Sequence, residues 1–343
     1  MGRIFLYVCL LMAFLHAGAQ RNNQNGINME TLKLTKEWDK TFPKSEKVSH
    51  TKVTFTNRYG ITLAADLYIP KTAKGKLAAI AVCGPYGAVK EQCSGLYAQT
   101  MAERGFITLA FDPSFSGESG GQPRYVSSPD INTEDYSAAV DYLIMRDDVD
   151  PERIGIIGIC GWGGLAINAA VMDTRIKATV SSTMGAFDPY DSRQRSEMRE
   201  QLNLQRTADL RKGVAPERSG GVPGELPDDA ADYWKDYQDY YKTTRGYHPR
   251  SVNSNGGWQK ITDLPFLTFP LMAYAEEIES AVLVVHGDKA YSLSASQEAF
   301  KKLKGDNKHL LIIPGATHVD LYDRTDVIPF DKFDEFFNKY FSR

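Results

Sequence analysis

The stretch that most constrains this chain runs from Arg153 to Val171, Arg-Ile-Gly-Ile-Ile-Gly-Ile-Cys-Gly-Trp-Gly-Gly-Leu-Ala-Ile-Asn-Ala-Ala-Val. Its first half is a continuous apolar run, as expected of a strand buried on both faces of a parallel sheet, and its second half has the composition of a buried helix. Cys160 sits between them. A nucleophile at such a strand-to-helix turn stands clear of the sheet, and the helix N-terminus behind it favours negative charge, a thiolate included. Cys160 is therefore expected to ionise more readily than a free cysteine. The competing reading is an inert buried thiol in a glycine-rich turn.

Strand and helix signals alternate on both sides of this unit. Thr51 to Thr56 and Ile61 to Ile69 form a hairpin around Asn57-Arg-Tyr-Gly60. Leu77 to Cys83 is a strand, Leu96 to Arg104 a helix, Phe106 to Asp112 a strand, and Asn132 caps a helix through Met145. Ile176 to Ser182, Ala281 to His286 and His309 to Ile313 are further strands, with a helix at Ser294 to Leu303. Phe330 to Phe341 places Phe333, Phe336, Phe337 and Phe341 near one face of a last helix, expected to seal the sheet edge. Repeated β-α-β units predict an α/β fold with a mostly parallel central sheet and helices on both faces. Residues 48–184 and 281–343 form this core. The intervening 185–280, about a hundred residues rich in Tyr, Asp, Arg, Gly and Pro, is too long for a structureless loop and predicts a largely helical cap.

The N-terminus has another character. Arg3, the apolar run Ile4 to Leu15 and Ala17-Gly18-Ala19 have the order of a cleavable signal peptide over residues 1–19, which places the mature protein in the periplasm or outside the cell. The run is too short to span a membrane. Residues 20–47 read as a polar linker with one short helix near Thr31 to Asp39. Cleavage leaves Cys83, Cys93 and Cys160, an odd number, so one thiol stays free or pairs with another chain; two unpaired buried thiols at Cys83 and Cys93 are favoured over a bridge. A net charge of −3 offers no footprint for nucleic acid. No Cys-x-x-Cys or His-Glu-x-x-His appears, and Gly155-Ile-Ile-Gly158 lies inside a strand, so neither metal nor dinucleotide cofactor is expected.

Acyl transfer needs a nucleophile, a base, a group to orient the base, and donors for the oxyanion. Cys160, Asp288 and His318 each follow a strand, in that order along the chain, where open α/β sheets place their sites. Asp320 and Asp323 near His318, and Glu276, Glu277 and Glu279 before the Ala281 strand, compete with Asp288 for the acid role. The backbone N–H groups of Gly161 and Tyr86 are the candidate oxyanion donors, because Pro85 has none to offer. Tyr86, Trp162 and Ser119 are candidate pocket residues. Gly117-Glu-Ser-Gly-Gly121 also fits Gly-x-Ser-x-Gly and offers Ser119 as a rival nucleophile. Asp112-Pro-Ser-Phe separates it from its strand, and Gln122-Pro123 follows where a helix should begin.

Asn57-Arg-Tyr-Gly-Ile-Thr-Leu-Ala-Ala-Asp-Leu-Tyr68, Phe111-Asp-Pro-Ser-Phe-Ser-Gly-Glu-Ser-Gly120, Gly158-Ile-Cys-Gly-Trp-Gly-Gly164 and Gly315-Ala-Thr-His-Val-Asp-Leu-Tyr-Asp323 resemble a bacterial α/β-hydrolase family. Its members are related to the dienelactone hydrolases and more distantly to Xaa-Pro peptidase-like hydrolases. The resemblance covers nearly everything from Thr51 onward. It implies an α/β-hydrolase fold and a Cys-His-acid triad. Trp162 departs from the pattern, since dienelactone hydrolases carry Gly two residues after the Cys. The expected activity is hydrolysis of small-molecule carboxylic esters, lactones or thioesters through an acyl-cysteine, with an Xaa-Pro-type peptidase and a non-catalytic binding protein as alternatives.

Overall fold

The computed structural model describes residues 30–185 and 190–342. The expected signal peptide lies outside them, as does the start of the linker. Among the described residues, ten strands occur in chain order: β1 Val48–Thr56, β2 Thr62–Pro70, β3 Leu77–Cys83, β4 Ile107–Phe111, β5 Val149–Ile159, β6 Ile176–Ser182, β7 Arg218–Ser219, β8 Trp258–Gln259, β9 Ala281–Gly287 and β10 Lys308–Ile313. The helices are α1 Cys93–Ala102, α2 Pro129–Ile144, α3 Gly161–Met172, α4 Ser192–Lys212, α5 Asp232–Lys242, α6 Asp263–Phe266, α7 Leu293–Lys302, α8 Asp320–Asp323 and α9 Phe330–Phe341.

Eight strands form one sheet in the order β1-β2-β4-β3-β5-β6-β9-β10. The β1–β2 and β2–β4 pairs are antiparallel, and every later pair is parallel. Register explains the location of the site. Cys83 pairs with Gly158, Ser182 with Val285, and Ile313 with Gly287. The loops after β3, β5, β9 and β10 therefore leave the same edge of the sheet, where side chains far apart in sequence meet.

Helices α1 and α9 cover one face, with Tyr97, Met101, Phe333, Phe337 and Phe341 in a common core with β3, β5 and β6. Helices α2 and α3 cover the other, and α7 extends that layer over β9. The last helix thus lies on a face of the sheet instead of sealing its edge, because its phenylalanine stripe is wide enough to need a whole apolar surface. Each such buried Phe contributes about 1.5–3 kcal/mol. Asn132 does not cap α2. Ser128 is the N-cap residue, and the Asn132 carbonyl accepts from the Ser128 N–H at 3.0 Å and the Ser127 hydroxyl at 2.6 Å from inside the first turn.

The polar segment before β1 forms no helix over Thr31 to Asp39, and it is no loose linker. The Thr35 N–H donates to Glu118, Lys40 pairs with Asp66 at 2.5 Å, Arg250 pairs with Asp39 at 2.7 Å, and Phe42 is buried. Beneath this strap the ammonium of Lys90 is fully buried among Glu91, Asp112 and Glu118 at 2.7, 2.9 and 2.7 Å. Three carboxylates converging like this could hold a metal ion. Lys90 occupies the position a cation would take, which is how buried acids are kept paired.

Between β6 and β9 the chain forms α4, α5, α6 and the small antiparallel pair β7–β8. Helix α4 runs 21 residues and buries little beyond Asp209, whereas α5 packs an aromatic face onto the core.

Candidate active site

Cys160 follows β5 and precedes the first turn of α3 with φ 57° and ψ −128°. A positive φ at a residue with a side chain costs about 1–3 kcal/mol and persists only where the surroundings enforce it. The enforcing bonds are Cys160 N–H to Ser182 O at 2.9 Å and Gly163 N–H to Cys160 O, also 2.9 Å. Strand and helix meet here with no room to spare: a Cβ on Gly158 would lie 2.1 Å from the Trp162 carbonyl oxygen. Trp162 itself does not line a pocket. Its ring is buried in edge-to-face contact with Phe111 and Tyr136, at 5.9 and 5.5 Å, because α3 turns that side of its first turn into the core.

The groups that reach the Cys160 sulfur are the Tyr322 hydroxyl, the N–H of Gly161, the N–H of Tyr86 and the Tyr237 hydroxyl. Burial pushes the thiol above its ordinary value, and these four donors only offset it. The expectation of a readily ionised cysteine is thereby corrected: removal from water outweighs the helix N-terminus. The Tyr86 loop is held by the cap, whose Asn253 amide donates to Tyr86 O at 2.7 Å and whose Ser251 hydroxyl donates to Gly87 O at 2.9 Å. Gly87, at φ 84°, has no space for a Cβ, which would lie 2.3 Å from the Asn253 side-chain oxygen. The Tyr86 ring packs against Trp258 at 4.6 Å. Cys83, Cys93 and Cys160 are all free thiols.

His318, in the loop after β10, is buried. Its Nε2 is 3.1 Å from the Tyr322 hydroxyl, so one hydroxyl links the imidazole to the thiol. Its Nδ1 is 2.5 Å from Ser292 Oγ. Ser292 lies 3.0 Å from His286 Nε2, and His286 Nδ1 lies 2.7 Å from Ser296 Oγ. Burial, with His286 as a second contributor, lowers His318 to about 3, and burial lowers His286 to about 4. Both rings are neutral near pH 7.

Asp288 is not the partner of His318. It is exposed, and its Oδ1 accepts from the Gly315 N–H at 2.7 Å, because the turn after β9 directs the carboxylate toward the end of β10. Asp320 accepts from the Thr317 N–H at 2.8 Å, and Asp323 forms a two-point pair with Arg245 at 2.7 and 2.8 Å. Glu276 and Glu277 lie on a short turn before β9, at the opposite end of that strand. Among the described residues, no carboxylate bonds either ring nitrogen of His318. Ser119 is equally removed from the sulfur's surroundings. Its hydroxyl donates to Asp112 O at 2.7 Å and accepts from the Ala64 N–H at 2.8 Å, which ties the Gly117 loop to β2 and leaves no free nucleophile.

Residues 59–320 match the X-Pro dipeptidyl-peptidase (S15) family. The chain belongs to that family of α/β-hydrolases. It is 54% identical over 335 residues to the uncharacterised protein PA2218 of Pseudomonas aeruginosa, covering 94% of this chain and 89% of the relative. The crystal structure of that protein superposes with a TM-score of 0.87 at 55% identity, covering 91% of this chain and all of the other. An α/β-hydrolase from a Penicillium species shares the fold, with a TM-score of 0.73 at 19% identity over 86% of this chain and 100% of its own. A thiohydrolase of Aspergillus aculeatus is 34% identical over 137 residues, 40% of this chain and 42% of that one.

On this hydrolase scaffold the cap supplies an aromatic wall. Tyr237 of α5 bonds Tyr291 through their hydroxyls at 2.9 Å, Tyr233 stacks on Tyr291 at 4.4 Å, and both Tyr237 and Tyr291 face the His318 ring. A cavity of about 400 Å³ opens beside His318, bordered by Tyr233, Tyr291, Asp232, Asp236 and Lys289. Tyr240 and Tyr241 are buried where the cap packs onto the core, and the Tyr241 hydroxyl reaches Tyr322 and Asn253. The α5 aromatics thus divide between site and scaffold. Sequence reasoning missed Tyr322, although its place four residues after His318 on a short helical turn is a usable signal. It also missed Ser292, for which no spacing rule exists, and it reads His286, at the end of a strand, as structural.

Proposed function

We propose that the protein hydrolyses carboxylic esters, lactones or thioesters through an acyl-Cys160 intermediate. The observation that carries this reading is the convergence on one sulfur, at the N-terminus of α3, of two backbone N–H donors, one from the first turn of α3 and one from the loop after β3. In this reading Sγ attacks the acyl carbon, the carbonyl oxygen gathers charge against the Gly161 and Tyr86 N–H groups, the leaving group departs, and water hydrolyses the resulting thioester. His318 lies one hydroxyl away from the sulfur, through Tyr322. The partial match to a fungal thiohydrolase is in keeping with thioester chemistry. The protein is further read as exported, on its N-terminal pattern.

The test is mass spectrometry of the protein mixed with p-nitrophenyl esters, lactones, acyl thioesters and Xaa-Pro amides, with peptide mapping of any adduct. An acyl group on Cys160, and loss of turnover in Cys160→Ala but not in Ser119→Ala, is the expected result. Turnover unaffected by Cys160→Ala refutes the proposal. The missing carboxylate at His318 favours a second reading, a binding protein on a hydrolase scaffold, which gains if no adduct forms with any donor. Mass measurement of protein from its native cell checks export, which fails if Met1 to Ala19 remain on the majority species.

A further inference from the structure

We propose that Ser292 and His286 replace the acid of the triad with an uncharged relay, and that this confines the site to acyl donors whose leaving group departs without being protonated: thioesters and aryl or enol esters. The inference rests on the acyl-Cys160 reading above. Ser292 Oγ lies between His318 Nδ1 at 2.5 Å and His286 Nε2 at 3.0 Å, and Ser296 closes the chain at 2.7 Å. Ser292, His286 and Ser296 are all buried, and among the described residues none of them bonds a carboxylate.

A carboxylate beside a histidine only accepts; it fixes Nδ1–H and stabilises the imidazolium that forms when Nε2 takes a proton. A serine hydroxyl does neither. It has one proton for two imidazoles, so it donates to one and accepts from the other, and either direction is satisfied. His318 is therefore held in place by Ser292 without being offered a countercharge. Burial of both rings, with His286 further disfavouring charge on His318, acts in the same sense. Storing the thiol proton on His318 is costly, and so is using His318 as the acid that protonates an alkoxide or amine.

The route left open avoids the imidazolium. Cys160 loses its proton to solvent, and the thiolate pair forms the S–C bond while the carbonyl π pair moves to oxygen. That pair returns as the C–X bond breaks with its electrons on X, which leaves as a thiolate, phenolate or enolate. Water then adds to the acyl-enzyme, gives its extra proton to the medium and expels Cys160 as a thiolate. Neither half needs an acid. Against an alkoxide or amide nitrogen, the Cys160 thiolate is the better leaving group, so the tetrahedral intermediate collapses back to substrate.

The experiment is rapid-quench acylation of the full chain with one acyl group on a series of leaving groups: a thiophenol, phenols of graded acidity, ethanol and aniline. Because general-acid assistance contributes typically 10²–10⁴-fold, acylation by the ethyl ester is expected to trail the p-nitrophenyl ester by at least about 1000-fold, with no anilide adduct. Ser292→Asp is expected to narrow that gap at least about tenfold by supplying the carboxylate. Ser292→Ala and Ser292→Thr supply no carboxylate, so each should leave the gap between the two esters as wide as in the parent. A parent protein whose ethyl ester acylates within tenfold of the p-nitrophenyl ester overturns the proposal, and so does a Ser292→Asp variant that narrows the gap no more than Ser292→Ala does. Failure of every donor to label Cys160 refutes the acyl-enzyme reading itself.

Discussion

Lowering the pH from 7 to 5 should cost this protein stability through two side chains in its site. His318 and His286 carry ordinary values of 6.5 when unfolded, and burial lowers them to about 3 and about 4 in the native state. The unfolded chain therefore takes up protons first. Stability from these groups is present above the unfolded value and is lost as the pH falls through it toward the native values. Between pH 7 and pH 5 each histidine protonates in the unfolded state and stays neutral in the native one, a loss of about 2 kcal/mol per ring and about 4 kcal/mol for both. That is a large share of the 5–15 kcal/mol typical of a folded domain. Burial also lowers His248 and His309, which add to the total, so the parent alone is not diagnostic. The decisive measurement is urea unfolding at both pH values for the parent, His286→Gln and His318→Gln. Each variant is expected to be less stable at pH 7 yet to lose about 2 kcal/mol less on acidification. A variant that keeps the parent's full pH difference would show that its ring was never held neutral, and the account of an uncharged relay would fail with it.

Lys90→Met removes the fully buried ammonium shared by Glu91, Asp112 and Glu118; Lys52 still pairs with Glu91 and Glu118, but Asp112 loses its cation, and stranding a buried charge in this way should cost about 3–5 kcal/mol by denaturant titration. Gly87→Ala meets the Asn253 side chain and should move the Tyr86 N–H, lowering kcat on an active ester about 100-fold with a folded circular dichroism spectrum. Arg245→Ala frees Asp323 from its two-point pair beside the His318 loop. The pair is about a quarter exposed, so the loss should be only about 1 kcal/mol, seen as a small drop in thermal midpoint.

The strands bounded by Leu77 and Cys83 and by Ile176 and Ser182, and the helix from Phe330 to Phe341, are legible because unbroken apolar runs and a 3.6-residue stripe have few other solutions. The turn at Cys160 and the placement of His318 are legible for the same reason, since both follow from where strands end. What escaped the sequence depends on direction within a loop. Asp288 and Ser292 follow the same strand four residues apart, and only the path of the turn decides which reaches the imidazole. Lys90 and Glu91 carry no local signal of burial in the sequence; the strap from Glu30 to Lys47 closes over them. Burial of Cys160 under the α5 tyrosines reverses the sign of an expectation drawn from the helix terminus alone, because the cap is absent from that argument.

Trp162 shows how a motif constrains space more than identity. The family pattern asks for a small residue two positions after the nucleophile so that strand and helix can approach, and this chain places its bulkiest residue there. The room is made by the opposing loop: a Cβ on Gly84 would lie 2.9 Å from the Trp162 Cβ and 2.3 Å from the Ile159 carbonyl oxygen. The constraint is on a pair, and it is met by leaving the side chain off Gly84. Gly84 opens the loop that carries Tyr86, and Trp162 belongs to the first turn of the helix that carries Gly161. The contact that admits the tryptophan therefore also sets the separation between the two N–H donors that reach the sulfur, with Phe111 and Tyr136 holding the indole from behind. The substitution that looked like a loss of the turn instead couples its geometry to the opposing loop.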